Sequence, residues 1–159
     1  MERFIVREAE LRDLPRIIEI MAEDDLGKER EIYTQPMAQC YVDAFNNITG
    51  DRNSILLVIC EEDNMIGSLQ ITFTQYLSHR GGIRATIENV HIAESSRNKG
   101  AGTVLMNYAV ELAKEKNCTI VQLTSNKTRT DAHRFYRRLG FKNTHEGMKL
   151  SLEKQKPLS

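Results

Sequence analysis

The chain has 159 residues, of which 40% are apolar and 28% are charged. This composition is typical of an ordinary folded domain and excludes an intrinsically disordered protein. The 22 basic residues equal the 22 acidic residues, so no net charge would attract nucleic acid or an anionic membrane surface. We therefore expect one domain over residues 1–152 that binds neither nucleic acid nor membranes, followed by a polar tail over residues 153–159.

Short apolar segments and the cysteine pattern predict where the protein resides. The apolar stretch at Phe4–Val6 is too short for the core of a signal peptide. The longest apolar run, Ile55–Cys60, is about a third of the length of a membrane-spanning helix. The three cysteines show no CxxC spacing, and their odd number fits reduced thiols. These features predict a cytoplasmic protein.

The first half of the chain shows the pattern of a strand, two helices and a hairpin. Phe4–Val6 predicts a short strand, and Asp13 predicts an N-cap for a helix that tolerates Pro15 in its first turn. A less regular helix is predicted over Gln35–Phe45. Ile55–Cys60 predicts a buried strand. Its antiparallel partner is predicted from alternating apolar residues at Leu69, Ile71 and Phe73.

A change of phase interrupts the next strand, which is predicted over Ile83–Ile92. Apolar residues occupy odd-numbered positions up to Ile87 and even-numbered positions from Val90 onward. A β-bulge at Glu88 and Asn89 accounts for this slip, because a bulge inserts one residue and bends the strand. Bulges are frequent beside active sites, where they re-aim side chains.

A basic turn with two glycines follows this strand and opens a helix predicted over Gly100–Lys116. The turn has the sequence Arg97-Asn98-Lys99-Gly100-Ala101-Gly102. Free N–H groups and the positive end of the helix dipole would suit a diphosphate there. A glycine turn before a helix is more often only a connection, so the surrounding motifs must decide between the two interpretations.

The last third of the chain is predicted to alternate strand and helix. Thr119–Leu123 predicts a strand, and an apolar stripe that includes Phe135 predicts a short helix ended by Gly140. Strands over Phe141–Thr144 and Met148–Leu152 would complete the chain. This order of elements predicts an α/β (α+β) fold, in which about four helices cover a mixed sheet of about six to seven strands.

Together these motifs resemble the GNAT superfamily of acyltransferases. Arg97, Gly100 and Gly102 match the RxxGxG form of the loop with which that family binds pyrophosphate, between its fourth strand and third helix. The slip at Glu88-Asn89 falls where the family splays its fourth and fifth strands, and the sequence AHRFYRRLGF over 132–141 resembles its fourth-helix signature. The resemblance implies the GNAT acyl-CoA N-acyltransferase fold, with a mostly antiparallel central sheet and a bulged fourth strand.

The resemblance also implies acetyl-CoA as co-substrate. Where the family often has an asparagine before its fourth helix, this chain has Arg129, with Asn126 upstream. The four histidines show no metal-binding spacing, so no metal ion is expected. The residues expected to bind acetyl-CoA follow the bulge, form the loop and helix start, or precede the last helix: Val90, His91, Ile92, Arg97, Asn98, Lys99, Gly100, Ala101, Gly102, Thr103 and Asn126.

Acetyl transfer to an amine requires a deprotonated nucleophile, a polarised thioester carbonyl and a proton for the departing thiolate. By family resemblance Tyr136 is the proton donor, although it also lies on the apolar stripe of its helix and could be a core residue. Glu88 at the bulge is the candidate base, with solvent exposure or an ion pair to Arg84 as the structural alternative. His91 competes for the role of base, and His133 lies one helical turn from Tyr136. Backbone N–H groups at the bulge are expected to polarise the carbonyl.

The segment before and within the last helix, 124–136, resembles bacterial aminoalkylphosphonate-type acetyltransferases, which implies a small-molecule amine acceptor and direct attack in a ternary complex. The walls of the acceptor site are expected at Tyr33, Tyr76, His79 and Arg80. A non-catalytic acyl-CoA-binding module or regulator with the same fold is the alternative. A DNA-binding regulator is a third hypothesis, which the balanced charge disfavours. The sequence leaves open the identity of the amine, the acyl-chain preference and whether the chain forms a homodimer.

Overall fold

The computed structural model describes residues 2–153, in which one five-stranded sheet forms the centre of the fold. The strands follow each other across the sheet in chain order: β1 (Phe4–Glu8), β2 (Ser54–Glu61), β3 (Asn64–Gln75), β4 (Ile83–Ile92) and β5 (Cys118–Leu123). The first four strands pair antiparallel, and β5 pairs parallel to β4. A parallel pair requires a crossover connection, which a helix supplies here. The predicted α/β class with a mostly antiparallel mixed sheet is confirmed.

Within residues 2–153, four helices exceed two turns. They are α1 (Leu14–Glu23), α2 (Gln39–Gly50), α3 (Ala101–Glu115) and α4 (Thr130–Arg138). Single helical turns occur at Leu11–Asp13, Ser78–Gly81 and Glu94–Ser96. None of the helices in this range is long and apolar enough to cross a membrane. The crossover from β4 to β5 is α3, whose predicted extent is confirmed to within one residue at each end.

Helices cover both faces of the sheet. α3 contacts all five strands and buries Leu105, Met106 and Ala109 completely. On the opposite face, α1 places Ile17 and Ile20 in a cluster with side chains of β2 and β3. Each fully buried aliphatic side chain of leucine or isoleucine size contributes about 1.5–3 kcal/mol of transfer free energy. The sheet is therefore held from both sides by apolar packing.

A half-buried ion pair ties β1 to the start of α1. The Arg7 guanidinium donates two hydrogen bonds to the Asp13 carboxylate, at 2.7 Å and 2.9 Å. The same carboxylate accepts the backbone N–H of Glu10 at 2.8 Å. Burial alone would raise the pKa of Asp13, but the hydrogen bonds from Arg7 and Glu10 outweigh it and lower that pKa. Asp13 is thus held in its charged form.

Two sequence predictions about the helices require correction. Asp13 does not cap α1, because its carboxylate turns back to the Glu10 N–H and Arg7 and makes no cap hydrogen bond. The second helix is α2 over Gln39–Gly50 rather than Gln35–Phe45. It starts later because Pro36 disfavours the helical conformation for the residue before it. The helix also extends five residues beyond Phe45, to Gly50, because the apolar pattern did not indicate its last turn as helical.

The two strands predicted after α4 are absent from the described residues up to 153. Phe141–Thr144 and Met148–Leu152 have no regular secondary structure, and the backbone hydrogen bonds found there are local, such as Phe141 N–H to Tyr136 C=O at 3.1 Å. Met148, Leu150 and Leu152 alternate as in a strand but are 86–91% exposed. Alternation defines a face but does not supply the neighbouring strand whose backbone a strand requires.

The chain divides after Leu123 into two compact units. The first contains the sheet and α1 to α3, and the second contains α4 and the segment that follows it. The single domain expected over residues 1–152 stays a prediction. The polar tail expected over residues 153–159 lies outside the described residues, apart from Glu153.

We predict that Asp13→Asn lowers the free energy of unfolding by about 2 kcal/mol at pH 7, since it leaves a half-buried guanidinium without its counter-charge. The Asp13 contribution is fully present above pH of about 4, the ordinary aspartate pKa of an unfolded chain, and is lost as pH falls through the lower folded pKa. Urea unfolding at pH 7 and pH 3 measures both effects.

The matched control is Glu111→Gln, which removes a carboxylate from an exposed pair with Lys114. This change should alter stability by less than about 0.5 kcal/mol. Equal losses in the two variants would contradict a special role for Asp13.

Candidate functional site

β4 carries a bulge where the apolar pattern changes phase. On β3, Ser68 and Gln70 are two residues apart, whereas their partners on β4, His91 and Glu88, are separated by three. Asn89 adopts a left-handed conformation with φ 54° within this stretch. Asparagine tolerates that conformation better than most residues. The predicted bulge is confirmed.

β5 leaves β4 just before the bulge. Their parallel pairing runs from Ile83 opposite Cys118 to Ile87 opposite Leu123, while β4 continues to Ile92. Beyond Ile87, the β5 side of β4 therefore has no neighbouring strand within the described chain. An extended ligand with amide groups can form strand-like hydrogen bonds along such an edge.

The loop after β4 presents the N-terminus of α3. Gly100 is the N-cap residue and has φ 90°, a left-handed conformation that glycine adopts without strain. The first hydrogen bond into the helix runs from Val104 N–H to Gly100 C=O at 3.2 Å. The N–H groups of Ala101, Gly102 and Thr103 therefore have no acceptor one turn earlier in the helix and are available to an anion.

Two positive side chains flank this helix N-terminus. Arg97 donates its Nε–H to the carbonyl of Ile92 at 3.2 Å, which anchors the loop to the end of β4. Asn98 has φ 62°, and both Asn98 and Lys99 are exposed. The helix dipole adds about half a positive charge at the same end. The loop thus concentrates positive charge on a chain whose net charge is zero.

The two candidate bases differ in exposure. Glu88 is exposed, and no ion pair joins it to Arg84 within residues 2–153, so the paired alternative does not hold. His91 is buried, with 9% of its surface exposed, and lies opposite Ser68 beyond the bulge. Exposure leaves Glu88 accessible to a substrate, but it is also the solvent-facing alternative to a catalytic role, so Glu88 as the base stays a prediction.

The residues predicted to line the acceptor site lie in two parts of the first unit. Tyr76 is half-buried at the end of β3, and His79 and Arg80 follow it with φ of 53° and 58° in the turn before β4. Tyr33 is exposed between α1 and α2, where its hydroxyl accepts a hydrogen bond from Gln35 at 3.2 Å. Among the described residues, no hydrogen bond or ring contact joins Tyr33 to the other three.

In the second unit, Tyr136 is a half-buried residue of α4. Its ring centroid lies 5.3 Å from that of Phe135 and 6.1 Å from that of Phe141, with an edge-on arrangement in the latter pair. Burial raises the pKa of Tyr136, and the nearby charge of Arg129 opposes this shift without cancelling it. The phenol therefore keeps its proton at neutral pH, as a proton donor must.

Asn126 belongs to the turn before α4. Its side-chain oxygen accepts hydrogen bonds from Thr128, at 3.0 Å from the backbone N–H and 2.7 Å from the hydroxyl. Its backbone carbonyl lies 2.9 Å from Nε2 of His133. Both Asn126 oxygens thus have partners, one in the turn and one in α4, and the expected contact of Asn126 with the cofactor stays a prediction.

The sequence pattern did not predict that Arg84 contacts Tyr76, one of the residues expected to line the acceptor site. The structure places its guanidinium over the ring of Tyr76, 4.4 Å from the centroid. The signal in the sequence that could have indicated this contact is a basic residue at an inner position of a central strand, because such a residue is uncommon without a partner. Within residues 2–153, no group of three potential metal-binding side chains is close enough to hold an ion.

The comparisons with known proteins agree with this geometry. The model of the Acetyltransferase (GNAT) family matches residues 16–141. The crystal structure of a transcriptional regulator from Bacillus halodurans C-125 is 44% identical, with a TM-score of 0.92, and the match covers 94% of this chain and 99% of that one. The aminoalkylphosphonate N-acetyltransferase of Salmonella typhimurium is 27% identical over 107 residues, which are 67% of this chain and 69% of that protein.

A predicted acetyltransferase from Clostridium acetobutylicum, crystallised with acetyl-CoA, shares the fold. It is 22% identical, with a TM-score of 0.71, and the match covers 94% of this chain and 96% of that one. The family match includes most of α1, the bulged strand, the glycine loop and α4, and it spans most of the sequence. The chain therefore belongs to the GNAT family of acetyltransferases.

Proposed function

We propose that the protein is an N-acetyltransferase that transfers the acetyl group of acetyl-CoA to the primary amine of a small molecule. The observation that carries this proposal is the continuity of three features along the chain. The open edge of β4 begins at the bulge, runs to Ile92 and leads into the positive loop at Arg97 and the N-terminus of α3. These features suit the pantetheine amides and the pyrophosphate of acetyl-CoA.

Each part of the cofactor has a counterpart in this region. The backbone of Val90, His91 and Ile92 would bind the pantetheine arm as an added strand. The pyrophosphate would accept hydrogen bonds from the free N–H groups at the start of α3, with the loop cations neutralising its charge. The thioester would then lie near the bulge, next to the exposed carboxylate of Glu88.

The chemistry proposed is direct attack of the amine on the thioester. Glu88 accepts a proton from the ammonium, the amine nitrogen bonds to the carbonyl carbon, and backbone N–H groups at the bulge stabilise the oxyanion. The carbon–sulfur bond then breaks, and the thiolate takes a proton from Tyr136. The nitrogen loses its second proton as the amide forms, and this proton returns the Tyr136 phenolate to a phenol directly or through water. Burial raises the pKa of the Cys60 and Cys118 thiols. Raised thiol pKa values disfavour the thiolate and support transfer without an acyl-cysteine.

Similarity to the aminoalkylphosphonate N-acetyltransferase of Salmonella typhimurium supports a small-molecule acceptor. We propose a cytoplasmic enzyme that requires no metal ion. The alternative is an acyl-CoA-binding module or regulator without catalysis, which the regulator description of the Bacillus halodurans relative favours. Both the enzyme and the binding module would bind acetyl-CoA, but only the enzyme would transfer its acetyl group to an amine.

The cofactor proposal predicts that Gly102→Val weakens CoA binding at least tenfold. A branched side chain in the first turn of α3 would crowd the N–H groups that face the pyrophosphate. Isothermal titration with CoA measures the affinity, and thermal unfolding confirms that the variant folds.

Gly50→Val is the control, because a Cβ at Gly50, the last residue of α2, would meet no atom within 4 Å. It adds the same atoms far along the chain from the loop and should leave CoA affinity within twofold. Unchanged affinity in Gly102→Val would remove the loop from the cofactor site.

Turnover distinguishes the enzyme from the binding module. With acetyl-CoA and a panel of primary amines, we expect the wild-type protein to release free CoA thiol, and Glu88→Gln to do so about a hundredfold more slowly. Glu111→Gln should match the wild type. If acetyl-CoA raised the melting temperature of the wild-type protein and no amine produced thiol, the non-catalytic module would be the better description.

The role of Tyr136 predicts a drop in kcat of about a hundredfold in Tyr136→Phe, with CoA affinity within twofold of wild type. Since burial raises the pKa of Tyr136, the wild-type kcat should hold up to at least pH of about 10, the ordinary tyrosine pKa, and fall only above it. The control is Tyr108→Phe, at a residue of α3 that is 41% exposed. Equal rates for the two variants at all pH values would exclude Tyr136 as the acid.

A further inference from the structure

Gly67 is a buried glycine in the interior of β3. Its φ does not lie in the left-handed region that favours glycine, so conformational freedom does not explain the residue at this position. A glycine inside a strand often marks a place where another part of the chain approaches closely. The neighbours of Gly67 fit this second explanation.

The space beside the Gly67 Cα is already filled. A Cβ built there would lie 2.5 Å from Cδ1 of Ile92, 2.7 Å from the carbonyl oxygen of His91 and 3.0 Å from Cγ2 of Ile59. Non-bonded carbon atoms in contact are about 3.5–4.0 Å apart, so the added atom would clash. The tip of the Ile92 side chain can rotate away, whereas the His91 oxygen belongs to the backbone of β4. A side chain at residue 67 would therefore force the end of β4 to move.

The pairing of β3 with β4 determines which way the backbone of Ile92 faces. Hydrogen-bonded and non-hydrogen-bonded pairs alternate along an antiparallel ladder, and the two Cα atoms are closer in pairs of the second kind. Ala93 N–H donates to Ile66 C=O at 2.7 Å. The next pair, Ile92 with Gly67, is therefore of the non-hydrogen-bonded kind, and the N–H and C=O of Ile92 point away from β3. In agreement, the Ile92 carbonyl accepts the Nε–H of Arg97 at 3.2 Å, outside the ladder.

The same alternation sorts the three residues of the proposed pantetheine site. Ile92 and, two residues earlier, Val90 direct their backbone groups to the edge that β5 leaves open. His91 lies between them and directs its backbone groups to β3, where it pairs with Ser68. Since Arg97 occupies the Ile92 carbonyl, an amide-bearing ligand would use the backbone of Val90 and the N–H of Ile92. Hydrogen bonds weaken steeply with misalignment, so a small shift of Ile92 would weaken this set.

We propose that Gly67 is a positioning residue for the acyl donor. It leaves room for the end of β4 to lie against β3, and this contact aims the backbone groups of Val90 and Ile92 at the pantetheine arm. The inference rests on the proposed cofactor site and adds a residue that does not itself touch the ligand. The pyrophosphate would be bound separately by the N-terminus of α3, which the fully buried Leu105 and Met106 hold against the sheet.

The experiment compares CoA with 3′-phospho-ADP, which is CoA without its pantetheine arm. In Gly67→Ala, we expect the Kd for CoA to rise about tenfold or more, because the added methyl group displaces the backbone groups that face the arm. Isothermal titration should show a Kd for 3′-phospho-ADP within threefold of the wild-type value. In turnover, KM for acetyl-CoA should rise with the Kd for CoA, while KM for the amine stays within twofold. A purely structural role would lower stability without separating the two ligands.

Gly82→Ala is the matched control. Gly82 is also buried, and a Cβ there would lie 2.7 Å from the Thr119 hydroxyl oxygen, but next to the opposite end of β4. Crowding at Gly82 should lower the melting temperature, as crowding at Gly67 does, and leave the Kd for CoA within twofold. An equal loss of CoA affinity in both variants would overturn the proposal, because general destabilisation would then explain it.

A second variant tests the proposal if Gly67→Ala does not fold. Ile92→Val removes the Cδ1 atom that the new methyl group would meet at 2.5 Å and leaves the His91 carbonyl in place. The double variant Gly67→Ala/Ile92→Val should therefore melt at a higher temperature than Gly67→Ala, yet bind CoA at least fivefold more weakly than Ile92→Val alone. Equal CoA affinity in the double variant and in Ile92→Val would contradict a role for the β4 backbone. Failure of the double variant to fold would also count against the proposal, since Gly67 would then serve the fold as a whole.

Three outcomes separate this inference from the proposed function. If Gly67→Ala weakens CoA binding selectively but no amine releases thiol from acetyl-CoA, acetyl transfer is excluded and the positioning role stands. If the wild-type protein turns over and Gly67→Ala leaves the Kd for CoA unchanged, the positioning role is excluded and acetyl transfer stands. If the wild-type protein binds no CoA, both are excluded.

Discussion

The candidate site depends on a mismatch between the two neighbours of β4. β3 follows β4 along its whole length by accommodating an extra residue at the bulge, whereas β5 pairs with it only as far as Ile87. A bulge bends its strand and increases the local twist, so a straight parallel neighbour cannot follow β4 beyond that point. One inserted residue therefore determines where the sheet opens, which backbone groups face the opening and where the loop to α3 begins.

The charged groups of the candidate site are also concentrated locally, along β4 and the loop that follows it. The chain has no net charge, yet the loop and helix start after β4 gather positive groups on one side of the opening. Glu88 stands alone at the bulge, and Arg84 lies further back on the same strand, held by Tyr76. Charges of alternating sign thus follow the strand from its turn to its loop.

The sequence predicted most of the helices and strands whose residues follow a local apolar or glycine pattern. The β4 boundaries, the slip at Glu88-Asn89 and the extent of α3 were predictable because apolar periodicity and glycine placement act over a few residues. The cap at Asp13 was wrong because a distant arginine competes for its carboxylate. The strands after α4 were wrong because Met148, Leu150 and Leu152 carry the alternation without a partner strand. The contact between Arg84 and Tyr76 was missed because it joins β4 to the residue that follows β3, and no local pattern encodes such a contact.

The open edge of β4 has a consequence for solubility as well as for binding. An unpaired strand edge is a template for other chains, and natural proteins protect such edges with bulges and charged residues. Here the bulge at Asn89, the exposed Glu88 and the anchored Arg97 occupy the two ends of the stretch of β4 that does not pair with β5. The geometry proposed to admit a ligand therefore also discourages pairing with a second chain. A ligand lying along the edge would complete this protection by occupying the hydrogen-bonding groups themselves.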